Sequence, residues 1–312
     1  MFTKKYKKIL CMDYTGKELA LSYWKEIDRL CVKKLLINKQ NASFVKELRD
    51  TDCLLVKLGA KVDKEIIDKT PRLRYIGMLG TGVGGIDIAY AKSKGIVVAN
   101  IINYATEAVA EFTFGIILDH IREIERAKIQ TGKGNYSEVG FTGTEIKGKN
   151  FGVIGLGNIG LRTAELAKAF GANVIYWSRN RKKLPEKNGI IYQDLEKLLQ
   201  NSDFITLNMS LNPDTQNFIN KQRINLIKKG CVVVNVSPME LVDISALIKR
   251  LGKNNMTFIL DHSDEMTKEQ LALLRPHPNC IIHLPIGYTT KEATELKQKI
   301  FVENLKNFLK TV

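Results

Sequence analysis

The sequence predicts an α/β protein of two Rossmann-like domains, each built on a doubly wound parallel sheet, and three observations carry that reading. Short apolar runs alternate with helical stretches over most of the chain, the βαβ rhythm that favours parallel strands. A second series of the same kind begins at Phe151, after a long helical stretch with an apolar face. The length, 312 residues, allows each of two domains to bury its own core.

In the first hundred residues the runs KKILCM, CLLVKLG, LRYIGMLG and IVVAN read as strands. YWKEIDRLC, KEIIDKT and DIAYAKSKG read as helices or helical turns between them. The basic start, MFTKKYKKILCMD, lacks the apolar stretch of a secretory signal and reads as a solvated tail running into the first strand. ATEAVAEFTFGIILDHIREIERAKI then reads as one long helix, apolar along one face and able to join two domains. In the second series FGVIGLG, NVIYWS, DFITLNM, CVVVNVS, TFILD and CIIHLP read as strands, and TTKEATELKQKIFVENLKNFLK closes the chain as an amphipathic helix.

Composition limits the function classes. The hydrophobic share of 44% with 26% charged residues is that of a globular protein, and no apolar run is long enough to span a bilayer. Five widely spaced cysteines without a C-x-x-C pair point away from a disulfide framework and from a thiolate metal site, and fit a reducing cytoplasm. The net charge of +15 comes from lysines spread from end to end rather than from a patch, so neither a nucleic-acid nor a membrane role is read from it.

FGVIGLGNIG, residues 151–160, places Gly155, Gly157 and Gly160 in a G-x-G-x-x-G pattern after a strand and at the opening of a helix. Glycines there allow a tight turn, close approach of backbone to a pyrophosphate, and close packing of helix on strand, while the helix start offers free N–H groups to the anion. The following strand, NVIYWS, ends about 20 residues on, where a ribose-reading residue belongs. That place holds Ser178, Arg179, Asn180 and Arg181 and no acid. An acid would repel a 2′-phosphate, whereas an arginine pairs with it, so NADP(H) is expected in preference to NAD(H).

Six stretches together make the chain similar, over nearly its whole length, to the D-isomer-specific 2-hydroxyacid dehydrogenases: LGTGVGGID (79–87), GIVVANIINYATEAVAEFTFG (95–115), GKNFGVIGLGNIG (148–160), NSDFITLNMSLNPDT (201–215), KKGCVVVNVSPMELVD (228–243) and IGYTTKEA (286–293). The resemblance implies a dinucleotide-binding domain over residues 101–288, inserted into a flavodoxin-like substrate domain of residues 1–100 and 289–312. It also implies a homodimer through the long helix, a small-molecule substrate and an active site between the lobes. On the cofactor side it implies contacts from Thr106, from Gly155, Gly157, Asn158, Ile159 and Gly160, from Ser237, and from Asp261 to the nicotinamide carboxamide.

The family's catalytic set is replaced. Its arginine belongs to N-x-x-R-G, and here Asn235, Val236 and Ser237 are followed by Pro238 and Met239. Its histidine falls at Pro285, and its glutamate at Met266, with Glu265 one residue away. The D-N pair before I-D is Gly84 and Gly85. Without the arginine a keto acid has no bidentate partner for its carboxylate, and without the histidine its oxygen has no proton donor, so no useful 2-hydroxyacid activity is expected.

Candidates for other chemistry are few. His283 and His262 follow strands at the carboxyl edge of the second sheet, where such sheets bind ligands. His283, two residues before the family's position, should face a similar side by strand alternation. Lys57 could hold an anion, and Tyr104 and Tyr288 could donate hydroxyls, while His120 and His277 read as packed and exposed respectively. No metal motif is present. Two functions remain open: an NADPH-dependent reductase acting on an imine, an activated alkene or a larger intermediate, and a catalytically silent dinucleotide-binding dimer that acts as sensor or partner.

Overall fold

The computed structural model describes residues 4–311, so the tail expected at the very start lies outside the described residues. Two compact units divide the chain. One takes the residues up to Tyr104 and those from Thr290 on, and the other spans Ala105–Thr289.

The first unit is a five-stranded sheet of β1 (Tyr6–Met12), β2 (Cys31–Ile37), β3 (Cys53–Lys57), β4 (Tyr75–Leu79) and β5 (Val97–Ala99), in the order β2-β1-β3-β4-β5 with every pair parallel. Its strands β3 and β4 are buried on both faces, as a parallel sheet covered by helices requires. One face packs Tyr6, Tyr75, Phe301 and Leu305, bringing the final helix Lys291–Thr311 into the core. Ile101 also belongs to this unit: it is fully buried there, and its amide donates to the Gly80 carbonyl at 2.9 Å.

The second unit holds β6 (Asn150–Ile154), β7 (Asn173–Trp177), β8 (Ile191–Tyr192), β9 (Phe204–Leu207), β10 (Val232–Asn235), β11 (Thr257–Leu260) and β12 (Cys280–Ile282). The order β12-β11-β10-β9-β6-β7-β8, all parallel, turns about β6, so the topological switch point lies between β6 and β9. Apolar clusters cover both faces.

Three readings of the sequence need correction. The first helix was expected to run to Cys31, but Cys31 already begins a strand, β2, that was not expected; its exposed Lys33 belongs to an edge, and charged residues that protect an edge also hide its alternation. β8, the edge of the other sheet, is two residues long and gives no pattern to read. The long helix is two: Thr106–Ile121 and Ile124–Gly132, separated at Glu123, whose φ of 51° is left-handed. Asp119 accepts from the Glu125 amide, so a side chain satisfies one donor at the start of the second helix, and Glu123 itself accepts from the Thr142 amide and pairs with Arg126. The expected apolar face also ends there, since nothing in Ile124–Gly132 is buried.

Among the described residues no helix is long and apolar enough to cross a membrane, and no cluster of three or more His, Cys, Asp or Glu side chains is placed to hold a metal ion.

Candidate functional site

β6 ends at Ile154, and the chain turns through Gly155, Leu156 and Gly157 into the helix Asn158–Ala169. Steric demand explains two of the three glycines. Gly155 has φ of 95°, and a Cβ on it would lie 2.4 Å from the Asn208 carbonyl oxygen. A Cβ on Gly160 would lie 1.9 Å from the Gly155 carbonyl oxygen, backbone against backbone. Gly157 is different: nothing lies within 4 Å of its Cβ direction, which leaves the open side on which a ligand's anion can approach the helix start. Arg162 on this helix forms a bidentate pair with Glu107, tying it to the first turn of Thr106–Ile121, where Thr106 itself stands.

Beside the turn is a cavity of about 670 Å³ lined by Gly155, Gly157, Ser178, Arg179, Asn180, Lys182, Asn208, Asp214 and neighbours. Its aromatic wall is Trp177 against Phe218, ring centroids 5.0 Å apart. The four residues expected to read the ribose fare differently. Ser178 Oγ donates to the Asn180 carbonyl at 2.6 Å, so it shapes the turn. Arg181 is committed to Glu186 by two bonds of 2.8 and 2.9 Å and lies over the Tyr192 ring. Arg179 has only an exposed partner, Asp214 at 3.9 Å, a contact that contributes little and is easily exchanged. Lys182, Asn212 and Asp214 also line this cavity and were missed from the sequence, although Asn212 and Asp214 sit in the family stretch 201–215.

Of the positions that the resemblance assigns to the catalytic set, Met266 packs against the core, and Pro238 stands before a packed turn. Pro238 precedes the turn Met239–Leu241, and Met239 is buried in the core with its sulfur 3.1 Å from Asn235 Nδ2. Ser237 Oγ donates to the Leu207 carbonyl and accepts from the Met209 amide, so it ties β10 to β9. Met266 packs against the same core.

Asp261 follows β11 and its side chain is only 7% exposed, with Oδ1 lacking a hydrogen-bond partner among the described residues. Burial pushes its carboxyl up to about 6, against the pull of His262. Gly287 sits directly over it: a Cβ there would be 3.1 Å from Asp261 Oδ2 and 2.9 Å from the Phe112 ring. A buried acceptor without a partner after β11 and a glycine turn left open at Gly157 both fit a nicotinamide dinucleotide, with Gly155–Gly160 for the pyrophosphate and Asp261 for an amide donor.

The four expected catalytic candidates are not all available. His262 contacts Glu265 through Nδ1 at 3.3 Å and Asp261 through Nε2 at 3.8 Å. Glu265, one residue from the glutamate position, thus contacts the His262 imidazole. His283 lies beyond the end of β12, so strand alternation does not orient it; its ring packs edge-on to Phe112 at 6.1 Å, and burial lowers its pKa. In the first unit Lys57 is paired with Glu18 at 3.1 Å, and this pair, with bonds from the Thr15 backbone, holds Glu18 down at about 2 despite burial. Tyr104 packs at the edge of that unit's core, with the half-buried Lys297 ammonium 5.6 Å from its ring. Burial lowers the pKa of Lys297, which the sequence reading passed over as one more lysine of an amphipathic helix.

A family model described as D-isomer specific 2-hydroxyacid dehydrogenase, NAD binding domain, matches residues 114–284. The chain belongs to that family. It is 35% identical over 308 residues to the D-3-phosphoglycerate dehydrogenase of Methanocaldococcus jannaschii, covering 97% of this chain but 57% of that protein. It is 34% identical over 282 residues to the glyoxylate reductase of Thermococcus litoralis, covering 85% of this chain and 83% of that protein. Among solved structures, D-lactate dehydrogenase from Aquifex aeolicus complexed with NAD and lactic acid is 26% identical with a TM-score of 0.84, covering 97% of this chain and 96% of that one. An acyclic imino acid reductase in complex with NADPH and D-Arg is 27% identical with a TM-score of 0.85, covering 97% of each chain. This family member is accordingly an oxidoreductase by descent and binds a nicotinamide dinucleotide.

Proposed function

We propose that the chain is an NADPH-dependent reductase whose substrate is not a simple 2-keto acid but a small molecule with a C=N acceptor. The observation that carries this reading is the contrast within one unit: the glycine turn keeps its sterically required form, while Pro238, Met266 and Pro285 stand where arginine, glutamate and histidine handle a keto acid. Reduction of a ketone needs hydride at carbon and a proton at oxygen. A protonated imine arrives with its proton in place and a cationic carbon–nitrogen bond, so hydride delivery to it asks less of an acid. The likeness to an imino acid reductase holding NADPH supports the same class. The experiment is NADPH consumption with keto acids alone and with keto acids premixed with amines. Oxidation only in the mixtures is the expected result, and oxidation in neither rules the reductase reading out.

Preference for NADPH rests on Arg179 and Lys182, two cations against one acid, Asp214, in the cavity after β7. Arg179→Ala is expected to weaken NADPH binding by about tenfold or more and to leave NADH within a factor of two or so, since a charge-assisted pair to a phosphate contributes about 1.5–3 kcal/mol. Fluorescence titration of reduced cofactor measures both.

The silent reading is favoured by one set of contacts, the engagement of Lys57 by Glu18 and of the His283 ring by Phe112. In either case we take the protein to be a homodimer. Ile124 and Ile129 are 51% and 50% exposed, and Tyr136 and Val139 each 81%, a concentration of apolar surface that a second copy would cover. Sedimentation should give twice the chain mass, and Tyr136→Glu with Val139→Glu should shift it towards the monomer.

A further inference from the structure

The glycine turn and the cavity after β7 take the phosphates and the adenosine end of a dinucleotide, so the nicotinamide end must cross the switch point towards β9, β10 and β11. Three strand spacings separate β6 from β11, about 14 Å. Asp261 stands where that path ends. It is the one acid in the described unit with a buried oxygen lacking a partner, and it is not isolated: Oδ1 is 3.8 Å from His262 Nε2, and His262 Nδ1 is 3.3 Å from Glu265 Oε2. Exposure rises along this row, with side chains 7%, 25% and 45% exposed for Asp261, His262 and Glu265. The row therefore leads from the crevice to solvent.

We propose that Asp261, His262 and Glu265 form a proton-exchanging unit whose charge responds to the redox state of the nicotinamide ring. The inference rests on the dinucleotide reading above and goes beyond it. An oxidised ring is a cation and favours an anionic Asp261, whereas a reduced ring is neutral and leaves the carboxyl its proton. Binding of the oxidised dinucleotide to the protonated unit thus releases one proton, and binding of the reduced form releases none.

The charged groups that act most on Asp261 are on its own loop, where His262 favours the anion and Asp264 and Glu265 oppose it, and the neighbouring strand end brings one further titratable group, His283, whose ring packs against Phe112. The elements packed over it bring Gly287 and Phe112, neither of which carries charge. Burial raises this carboxyl to about 6, which puts the exchange in an accessible range. The sign follows. Below about pH 6 the unit is protonated before binding, so affinity for NADP⁺ falls by up to tenfold per pH unit, while affinity for NADPH stays flat.

The test is calorimetry of the full chain with NADP⁺ and with NADPH from about pH 5 to about pH 8, in two buffers of different ionisation enthalpy so that protons are counted. Proton release with NADP⁺ alone, breaking near pH 6, is the expected result. His262→Leu removes the cation that favours the anion and should move the break upward. Asp261→Asn should abolish the release at saturating dinucleotide, and it keeps the test decisive where His262→Leu does not fold. Equal proton counts for the two redox states, release that persists in Asp261→Asn, or a break unmoved in a folded His262→Leu overturns the proposal. Failure of either dinucleotide to bind instead removes the cofactor reading.

Discussion

Glyoxylate, pyruvate and hydroxypyruvate are expected to be reduced about 10⁴-fold more slowly than by a family member that keeps its arginine, glutamate and histidine. Against an ordinary turnover of about 10 s⁻¹, that leaves about 10⁻³ s⁻¹ or less with either reduced cofactor. Pro238 offers no donor, and neither it nor Pro285 can hold or give a proton. Their loss is not additive, because the three groups act as a unit, and one missing member already removes most of the effect. Nor is the set easily restored at one point. The arginine position opens the turn Met239–Leu241, whose Met239 is 2% exposed in the core, and the glutamate position, Met266, packs on that same core. Steady-state assays with both cofactors measure the rate, and turnover near the ordinary value with any of the three acids would overturn the reading of the site.

Gly160→Ala should cost dinucleotide affinity at least about 100-fold and lower the melting temperature by about 5–10 °C. The added methyl would meet the Gly155 carbonyl oxygen at 1.9 Å, and that carbonyl cannot retreat. Gly155 is held through its own amide to Trp177 O at 2.8 Å and stands against the Asn208 backbone on its other side. Relief therefore requires the turn to open or the helix to shift, at a cost of about 2–4 kcal/mol. Gly157→Ala provides the contrast. Its methyl meets nothing within 4 Å, so the melting temperature should stay within a degree or two while affinity falls, because the space it fills is the ligand's. Isothermal titration and thermal unfolding of both variants separate a broken turn from an obstructed one, and a stable, fully binding Gly160→Ala would refute the steric account.

These two predictions differ in what the sequence alone supports. The proposed replacement of the catalytic groups rests on identity alone, since Pro238 and Pro285 are prolines in any fold. The glycine turn is readable as a pattern, since strand, turn and helix follow one another within 151–160 and their periodicity is local. The split at Glu123 was not readable, because the helical period continues through it and only distant partners, Thr142 among them, make the left-handed residue favourable. Edge strands such as β2 and β8 were lost for a related reason, since an edge is a property of the sheet and not of the segment.

The sequence by itself determined the alternation of strand and helix, the family and the position of the glycine turn, all of which depend on residue type and near neighbours. Only the tertiary structure decided which of the remaining charges are free to act. Lys57 is answered by Glu18, Arg181 by Glu186 and Glu265 by His262, while Arg179 keeps only a weak surface partner and Asp261 keeps a buried oxygen with none. Pairing and burial set the energy of a charge, and both are settled by what the fold brings within a few ångströms, often from far along the chain.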